Sequence, residues 1–268
     1  MVMTPQTQAA DIVIAAGRAY VNPYDSSGNP IGAKYWPQTS ALTLSVASES
    51  IDVDDQDTAV ATPLFTLTTK VTRTGVLTCR DNSGPVMAPF LMADESTATQ
   101  TATPVVAEPL NEGNGVTQGR YYQVGKSLNK AGARNISSVA VKDATPTTYT
   151  VTDDYVVDAA SGMLYVVPGG AIDDDTVLLI DFTPEANTRE QLVTNSDGAM
   201  VGELIIHENP ARGVARIWTI PYVEFSPNGD VQLQSRDGPR EMSFNLKVQT
   251  HPDGDREQIY RDGVPVAS

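Results

Sequence analysis

Two acid-rich segments come closest to a metal site in residue type and spacing. The first contains Asp52, Asp54, Asp55 and Asp57, and the second is Asp173-Asp-Asp175. Closely spaced carboxylates can coordinate calcium. Neither segment has a glycine at the sixth position of a calcium loop or a suitably spaced terminal Glu. We therefore interpret both as solvated acidic turns, and we expect no metal and no other cofactor.

Side chains that act as nucleophiles or imidazole bases are scarce. The chain has two histidines, His207 and His251, and one cysteine, Cys79. It contains no Gly-x-Ser-x-Gly motif and no Gly-x-x-x-x-Gly-Lys-Ser/Thr motif. Cys79 ends an alternating apolar segment, so we interpret it as a small buried hydrophobic residue, and His207 as a surface histidine. The sequence therefore favours a protein that is not an enzyme.

The chain is acidic, with 33 Asp and Glu against 18 Lys and Arg and a formal net charge of −15. Lys and Arg form no basic stripe, which a tight nucleic-acid-binding surface needs to neutralise phosphates. A single cysteine excludes an internal disulfide framework and fits a reducing compartment. We expect no membrane association, because no apolar run approaches the roughly 20 residues that span a bilayer. We also expect no secretion signal, because Met1–Gln6 lacks a basic segment followed by an apolar one.

The elements that would position these residues are predicted to be β-strands and one short helix. Alternating segments at 41–47 and 67–79 flank an acidic loop at 47–66. A helix is predicted at 84–94, with Asn82 or Ser83 as N-cap, and Pro89 is expected to disturb it. Further strands are predicted at 19–23, 138–141, 148–152, 155–157, 163–167, 177–182, 202–208, 215–225, 231–235 and 240–250.

These patterns predict a mostly β fold with a discontinuous main domain. Residues 1–103 and 195–268 are assigned to a β-sandwich domain, ending in a polar surface arm from His251. Residues 104–194 are assigned to a linker and a small all-β insertion with its core at about 119–183. The stretch 95–118 is interpreted as a loop or linker.

Several sequence segments resemble those of the major tail tube proteins of long-tailed, non-contractile (siphovirus-type) bacteriophages. They are Gly17–Val21 with Tyr24–Gly32, the strand-then-helix stretch Val71–Leu91, and the segments Gly202–Pro210 and Tyr222–Asp230. The resemblance covers roughly 1–94 and 195–250. It implies a tail-tube-type β-sandwich or barrel flanked by one short helix. It also implies that six copies form a ring, and that strands of all subunits join into one β-barrel around a lumen.

The resemblance further implies a place for the protein in the virion. Rings would stack into a tail tube that conducts genome DNA without binding it specifically, and acidic groups on its wall would repel phosphates within about 8 Å. The insertion would decorate the outside. Partners would be other copies of the chain, the tape measure, the tail terminator and the distal tail protein. The protein would be made in the host cytoplasm and end in the virion tail.

The resemblance assigns three groups of residues to this assembly. The candidate ring-stacking loop contains Glu49, Asp52, Asp54, Asp55 and Asp57. Its candidate partners in the adjacent ring are Lys70, Arg73 and Arg80. Alternation along the strands places on the lumen face Thr43, Ser45, Thr68, Lys70, Thr72, Ser243, Asn245, Lys247 and Gln249.

Three other functions stay open on sequence grounds. A carbohydrate-binding surface β-sandwich or adhesin would predict a signal sequence or disulfides. A β-rich hydrolase with paired Asp and Glu would predict a cleft with aromatic walls, and only 6% of the residues are aromatic. A related tail component, such as a distal-tail or terminator protein, would share most features of a tube protein.

Overall fold

The computed structural model describes residues 16–263 except 56, 58, 59, 61, 146, 147, 195–197, 212, 235, 237 and 253–258. It is 55% strand, with one short α-helix, one large antiparallel sheet and several small sheets. The predicted mostly β class is confirmed. The chain divides into two compact units: residues up to Glu95 together with those from Leu192 onward, and Ser96–Gln191. The expected boundaries were 103/104 and 194/195.

The described part of the chain contains sixteen strands and one α-helix. In chain order they are β1 (Gly17–Pro23), β2 (Lys34–Trp36), β3 (Thr39–Asp54), β4 (Pro63–Cys79), α1 (Gly84–Leu91), β5 (Ala93–Gln100), β6 (Val105–Pro109), β7 (Tyr121–Gln123), β8 (Ile136–Lys142), β9 (Tyr155–Asp158), β10 (Met163–Val166), β11 (Leu179–Pro184), β12 (Asn187–Thr194), β13 (Met200–Glu208), β14 (Arg216–Pro227), β15 (Met242–Val248) and β16 (Tyr260–Gly263).

The first unit is built on the large sheet, with strand order β2-β1-β13-β14-β15-β4-β3 and β16 paired to β14. Its core follows from strict alternation along β15, where Met242, Phe244, Leu246 and Val248 are buried and the residues between them are not. Trp36 packs on Phe244 with ring centroids 5.0 Å apart. The strand predicted at 240–250 is therefore confirmed, with one face buried.

Helix α1 covers one side of this core. Its N-cap is Ser83, and Phe90 meets the ring of Phe244 edge-on at 5.8 Å. Pro89 lies inside the helix and lacks the N–H that would bond to the carbonyl four residues earlier. The helix ends at Leu91, and the next residue, Met92, has a left-handed backbone conformation. Val86, Met87 and Phe90 are buried, whereas Leu91 is partly exposed.

The second unit has its own core between two three-stranded sheets, β7-β10-β9 and β6-β11-β8. Among its fully buried side chains are Tyr155, Leu164 and Phe182. The connecting strands β5 and β12 pair with each other. Gln100, buried near the end of β5, donates from Nε2 to the carbonyls of Arg134 and Glu185 at 2.6 and 2.7 Å. The packed core and the hydrogen-bonded Gln100 are what a compact domain requires.

Several strand boundaries differ from the predictions. The stretch 47–66 is mostly strand, because β3 continues to Asp54 and β4 begins at Pro63. The supposed linker at 95–118 contains most of β5 and all of β6. The described residues of 148–152 and 231–235 form no strand. The C-terminal segment from His251 was predicted to be a polar surface segment, but its residues Tyr260–Gly263 pair with β14. Where a strand was missed, its pairing with a strand distant in sequence outweighed the local composition.

Asp154 connects two turns of the second unit through hydrogen bonds. Its carboxylate accepts hydrogen bonds from the backbone N–H of Thr150 and Ala171, both at 2.7 Å, and these bonds hold its pKa below the usual value. A lowered folded-state pKa means that the stabilisation is complete above about pH 3.9 and is lost as the pH falls through the folded-state pKa.

We expect Asp154→Asn to destabilise the protein by about 1–3 kcal/mol at pH 7, because one strong acceptor is lost and Thr150 or Ala171 keeps an unpaired N–H. Calorimetric unfolding at pH 7 and pH 3 measures the effect, with Asp153→Asn as the matched control. The gap between wild type and Asp154→Asn should shrink at pH 3. A gap that does not change with pH would show that the ionised carboxylate is unimportant.

Candidate assembly surfaces

The hairpin β3–β4 extends well beyond the sheet to which it belongs. The ladder between β4 and β15 ends at Thr74, whereas the β3–β4 ladder continues to Asp54 and Pro63. From Ser45 to Asp54 this is about 30 Å of two-stranded ribbon. We call the residues 45–55 and 62–74 the arm. Nearly all described residues of the arm are exposed, and no other strand among the described residues pairs with the outer edge of β3.

A β-bulge divides the arm into two halves. Glu49 pairs with Lys70, but Ser50 pairs with Thr68, so Thr69 is an extra residue in β4. The Thr69 hydroxyl donates to the Glu49 carbonyl at 3.2 Å. A bulge of this kind shifts the side-chain alternation of one strand relative to the other.

The apolar residues of the arm change faces along its length. Near the sheet, Leu42, Leu44 and Val46 share the face of β3 that packs toward the core. Farther out, four apolar side chains lie on the opposite face as two cross-strand pairs, 38–58% exposed. They are Ile51 with Leu67 and Val53 with Phe65, and we call them the arm cluster. Contiguous exposed apolar side chains typically mark an interaction site.

The acidic residues of the predicted stacking loop have different positions from those expected. Glu49, Asp52 and Asp54 are strand residues of β3, and only Asp55 and Asp57 lie in the turn at the tip. Asp52 accepts a hydrogen bond from the Thr66 hydroxyl at 2.6 Å, across from it in β4. Asp52 and Asp54 alternate with Ile51 and Val53, so they face away from the arm cluster.

Lys70 and Arg80, which were predicted to meet these acids from a neighbouring ring, form ion pairs within the chain. Lys70 lies 2.9 Å from Glu49 across the arm, with both side chains more than 60% exposed. Arg80 lies 2.6 Å from Glu241. Exposed ion pairs of this kind contribute little, typically 0–1 kcal/mol. Arg73 lies opposite Val46, on the face of the hairpin that carries Leu42 and Leu44.

The residues predicted to face a lumen lie together on one face of the large sheet, with one exception. Cross-strand register brings Ser45, Thr74, Lys247 and Glu224 into one row. The polar and charged members of this polar face, including the next rows, are Thr43, Ser45, Glu49, Lys70, Thr72, Thr74, Thr78, Glu224, Ser226, Ser243, Asn245, Lys247 and Gln249. Thr68 is the exception, because the bulge at Thr69 turns it to the opposite face.

Hydroxyl and amide groups dominate the polar face. The Thr78 and Ser243 hydroxyls are 2.9 Å apart, and Gln249 donates to the Glu224 carboxylate. Glu224 lies directly across from Lys247, so the charges in that row balance. The excess acidity of the chain is therefore not concentrated on this face.

The other side chains considered as nucleophiles, bases or metal ligands do not lie together. Cys79 is fully buried, burial raises the pKa of its thiol, and its Sγ donates to the Pro37 carbonyl at 3.0 Å. His207 packs against Tyr20 and His251 against Tyr222. Among the described residues, no three His, Cys, Asp or Glu side chains are grouped as a metal site would need. In the described part of the chain, no helix is long and apolar enough to cross a membrane.

A cavity in the first unit was not anticipated from the sequence. It has a volume of about 290 Å³ and lies between β1, β3, β13 and β14. Leu44, Ile206, Glu208 and Trp218 are among the residues that line it. Little in the sequence indicates this cavity, because Glu208 is only the last residue of an apolar strand.

The fold and these surfaces define a mostly β protein whose large antiparallel sheet carries a long exposed hairpin. The chain belongs to the family described as Protein of unknown function UCP028589, whose model matches residues 12–254. No curated protein matches the chain.

Proposed function

We propose that this chain is a non-enzymatic, structural subunit of a phage tail tube. Copies of it form rings, six to a ring by the family resemblance, and the rings stack into a tube that conducts DNA. The observation that carries the proposal is the arm, a two-stranded ribbon of about 30 Å with an apolar cluster on one face. An isolated two-stranded ribbon is only marginally stable in water, so a partner surface is needed to hold it.

The edges of the large sheet support ring formation. Its terminal strands in the sheet order are β2 and β3, and β3 is sixteen residues long with no partner on its outer side in the described chain. An exposed edge of that length is a template for pairing with another chain. Closing a ring of sheets removes such edges.

The polar face supports the role of a conduit wall. Its hydroxyl and amide groups offer no cluster of Lys or Arg to neutralise phosphates, so a polyanion would not be held there. In this proposal Thr43, Ser45, Ser243, Asn245 and Lys247 face the lumen. Because the charges of Glu224 and Lys247 balance, low adhesion rather than strong repulsion keeps DNA moving.

The arm supports stacking between rings. Its two faces differ, one carrying the arm cluster and the other Asp52 and Asp54, so the contact it makes is between unlike surfaces. Contacts between unlike surfaces that do not close on themselves generate filaments. In this proposal the arm cluster is the main attachment, and the acids at the tip remain solvated or meet cations of the next ring.

Negative-stain electron microscopy of the purified full-length chain tests the proposal directly. We expect tubes with a regular axial repeat, or rings that stack when the protein is concentrated. A matched variant in which Ile51 and Phe65 are both replaced by Asp should give shorter or no tubes. Monodisperse monomers at all concentrations and salt conditions would contradict the proposal. Monomers that bound polysaccharide would instead favour a carbohydrate-binding function.

A further inference from the structure

The cavity in the first unit lies on the core side of the large sheet and has apolar walls. Leu42, Leu44, Ile206 and Trp218 are among the residues that line it. Leu42 and Ile206 also pack against the core, whereas Leu44 is 38% exposed, so the cavity opens to solvent. An apolar cavity of roughly 150 Å³ can hold a benzene molecule. A volume of about 290 Å³ therefore has room for one phenyl side chain.

Three arginines lie around this cavity. Arg261 is placed over the Trp218 ring, 5.4 Å from its centroid. Arg216 is on the same face of β14 as Trp218, and Arg18 is among the lining residues. None of the three forms a salt bridge with another described residue. These guanidinium groups are therefore available to a partner.

Two nearby acids do not reverse this positive charge. Glu208 lines the cavity, and its Oε1 accepts a hydrogen bond from the Trp218 indole N–H at 2.6 Å. Asp262 pairs with Ile217 in the register, one step along from the pair of Arg261 with Trp218, so it faces the other side of the sheet. Three arginines and one lining carboxylate make the site complementary to an apolar side chain that has acids beside it.

The outer half of the arm has this composition. Residues 50–69 contain no Lys or Arg, and their acids are Asp52, Asp54, Asp55 and Asp57. Phe65 is the largest side chain of the arm cluster and is 52% exposed. It lies about 30 Å from Leu44 along the ribbon, so it cannot reach the cavity of its own copy while the β3–β4 ladder is intact. The matching segment must come from a second copy.

The two faces of the sheet give this contact a direction. Ile51 and Val53 alternate in step with Ser45 along β3, so the arm cluster is on the side of the polar face. The cavity is on the opposite side. Two copies in the same orientation, displaced along the arm, therefore bring the arm cluster of one against the cavity side of the other. A contact between unlike surfaces in the same orientation repeats without closing.

We propose that Phe65 of one copy fills the cavity of the next copy, with the acids at the arm tip beside Arg216 and Arg261. This inference rests on the proposed tube function and names the surface that receives the arm. The large apolar side chain is the anchor, as a buried aromatic residue typically is in an interface. The charged groups at the rim set the orientation of the arm.

Photo-crosslinking of the full-length protein tests the contact. A photoreactive phenylalanine analogue carrying a diazirine replaces Phe65 in one preparation, which is mixed with ¹⁵N-labelled wild type so that mass spectrometry separates crosslinks between copies from those within one. We expect crosslinks between copies at Leu44, Ile206 or Trp218. The same analogue in place of Thr68, on the other face of the arm, is the matched control and should not label these residues.

A mixing experiment tests the direction of the contact. Ile51→Asp with Phe65→Asp removes the arm cluster and keeps the cavity, whereas Leu44→Glu keeps the arm cluster and puts a carboxylate in the cavity. We expect neither variant to form tubes alone. Mixed together, they should form paired rings that do not grow, since one arm-to-cavity contact remains. Sedimentation velocity and electron microscopy measure this. Val46→Glu, 65% exposed on the same face but outside the cavity, is the matched control and should form tubes.

Several outcomes would overturn the inference. If tubes formed but the crosslinks lay elsewhere, or if Leu44→Glu formed tubes like wild type, the receiving surface would be wrong and the tube function would stand. If wild type did not assemble at all, both would fail. If the analogue in place of Ile12, outside the described residues, labelled Leu44 of its own chain, the N-terminal segment would occupy the cavity instead. Should Leu44→Glu fail to fold, the crosslinking decides alone, because it leaves the cavity unchanged.

Discussion

The double substitution Ile51→Asp and Phe65→Asp is expected to abolish stacking while leaving the folded monomer intact. Burying each of these side chains contributes about 1.5–3 kcal/mol, so about 3–6 kcal/mol is lost per arm, before the cost of desolvating two carboxylates. The monomer is spared because both residues are more than half exposed and touch no core residue by register. Sedimentation velocity and electron microscopy measure the assembled fraction.

The matched control places the same charge on the other face of the arm. Ser50 and Thr68 are opposite each other at the same level, so Ser50→Asp with Thr68→Asp adds two charges without touching the arm cluster. We expect this control to assemble nearly as well as wild type. If both double variants assembled equally, the arm cluster would not be the stacking contact. If both failed, charge at the arm rather than its apolar face would control assembly.

The second large effect concerns stability. Phe244→Ala is expected to destabilise the first unit by about 3–5 kcal/mol, because the ring is fully buried and its loss leaves a cavity. The ring contacts Trp36 at 5.0 Å and Phe90 at 5.8 Å between centroids, so the sheet and the helix both lose packing. Tryptophan fluorescence during urea unfolding reports on this unit, since Trp36 and Trp218 both belong to it.

We expect the urea midpoint to fall by about 2 M for an m-value of about 2 kcal/mol/M. Asn245→Ala is the matched control, since Asn245 is the next residue but is exposed on the polar face, where substitutions usually change stability by less than about 0.5 kcal/mol. A midpoint for Phe244→Ala within 0.3 M (roughly 0.6 kcal/mol) of the control would mean that this core repacks around the cavity.

Local patterns were sufficient to predict much of the first unit. Alternation at 41–47 and in the segment 240–250 predicted strands in both places, because period-two patterns identify a strand with one apolar face. Helix α1 was recognisable from its candidate N-cap residues, Asn82 and Ser83. The extension of β3 to Asp54 was not, because the acids from Glu49 onward resemble a loop in composition and only pairing with β4 makes them strand residues.

The candidate surfaces were predictable only as far as alternation within a single strand determines them. Alternation correctly placed Thr43, Ser45 and the β15 residues on one face, but it misplaced Thr68 because the extra residue Thr69 has no local signature. The arm cluster was not predicted, because Ile51 and Val53 lie between acidic residues in the sequence. Only the cross-strand pairing with Leu67 and Phe65 brings the four apolar side chains together. The cavity at Glu208 depends on segments far apart in sequence, which no window of residues can bring together.

The bulge at Thr69 makes the arm sensitive to the parity of its length. Inserting one residue in β4 between Thr69 and the tip would exchange the two faces of the arm at every β4 position from the insertion to the tip. Phe65 and Leu67 would then face the side of Asp52 and Asp54 rather than that of Ile51 and Val53. Deleting Thr69 itself would only remove the bulge and keep the pairs of Ile51 with Leu67 and of Val53 with Phe65, and inserting two residues would preserve the faces. Homologous arms are therefore expected to lengthen by even steps, so that a count of residues in this hairpin constrains which sequences can form the same contact.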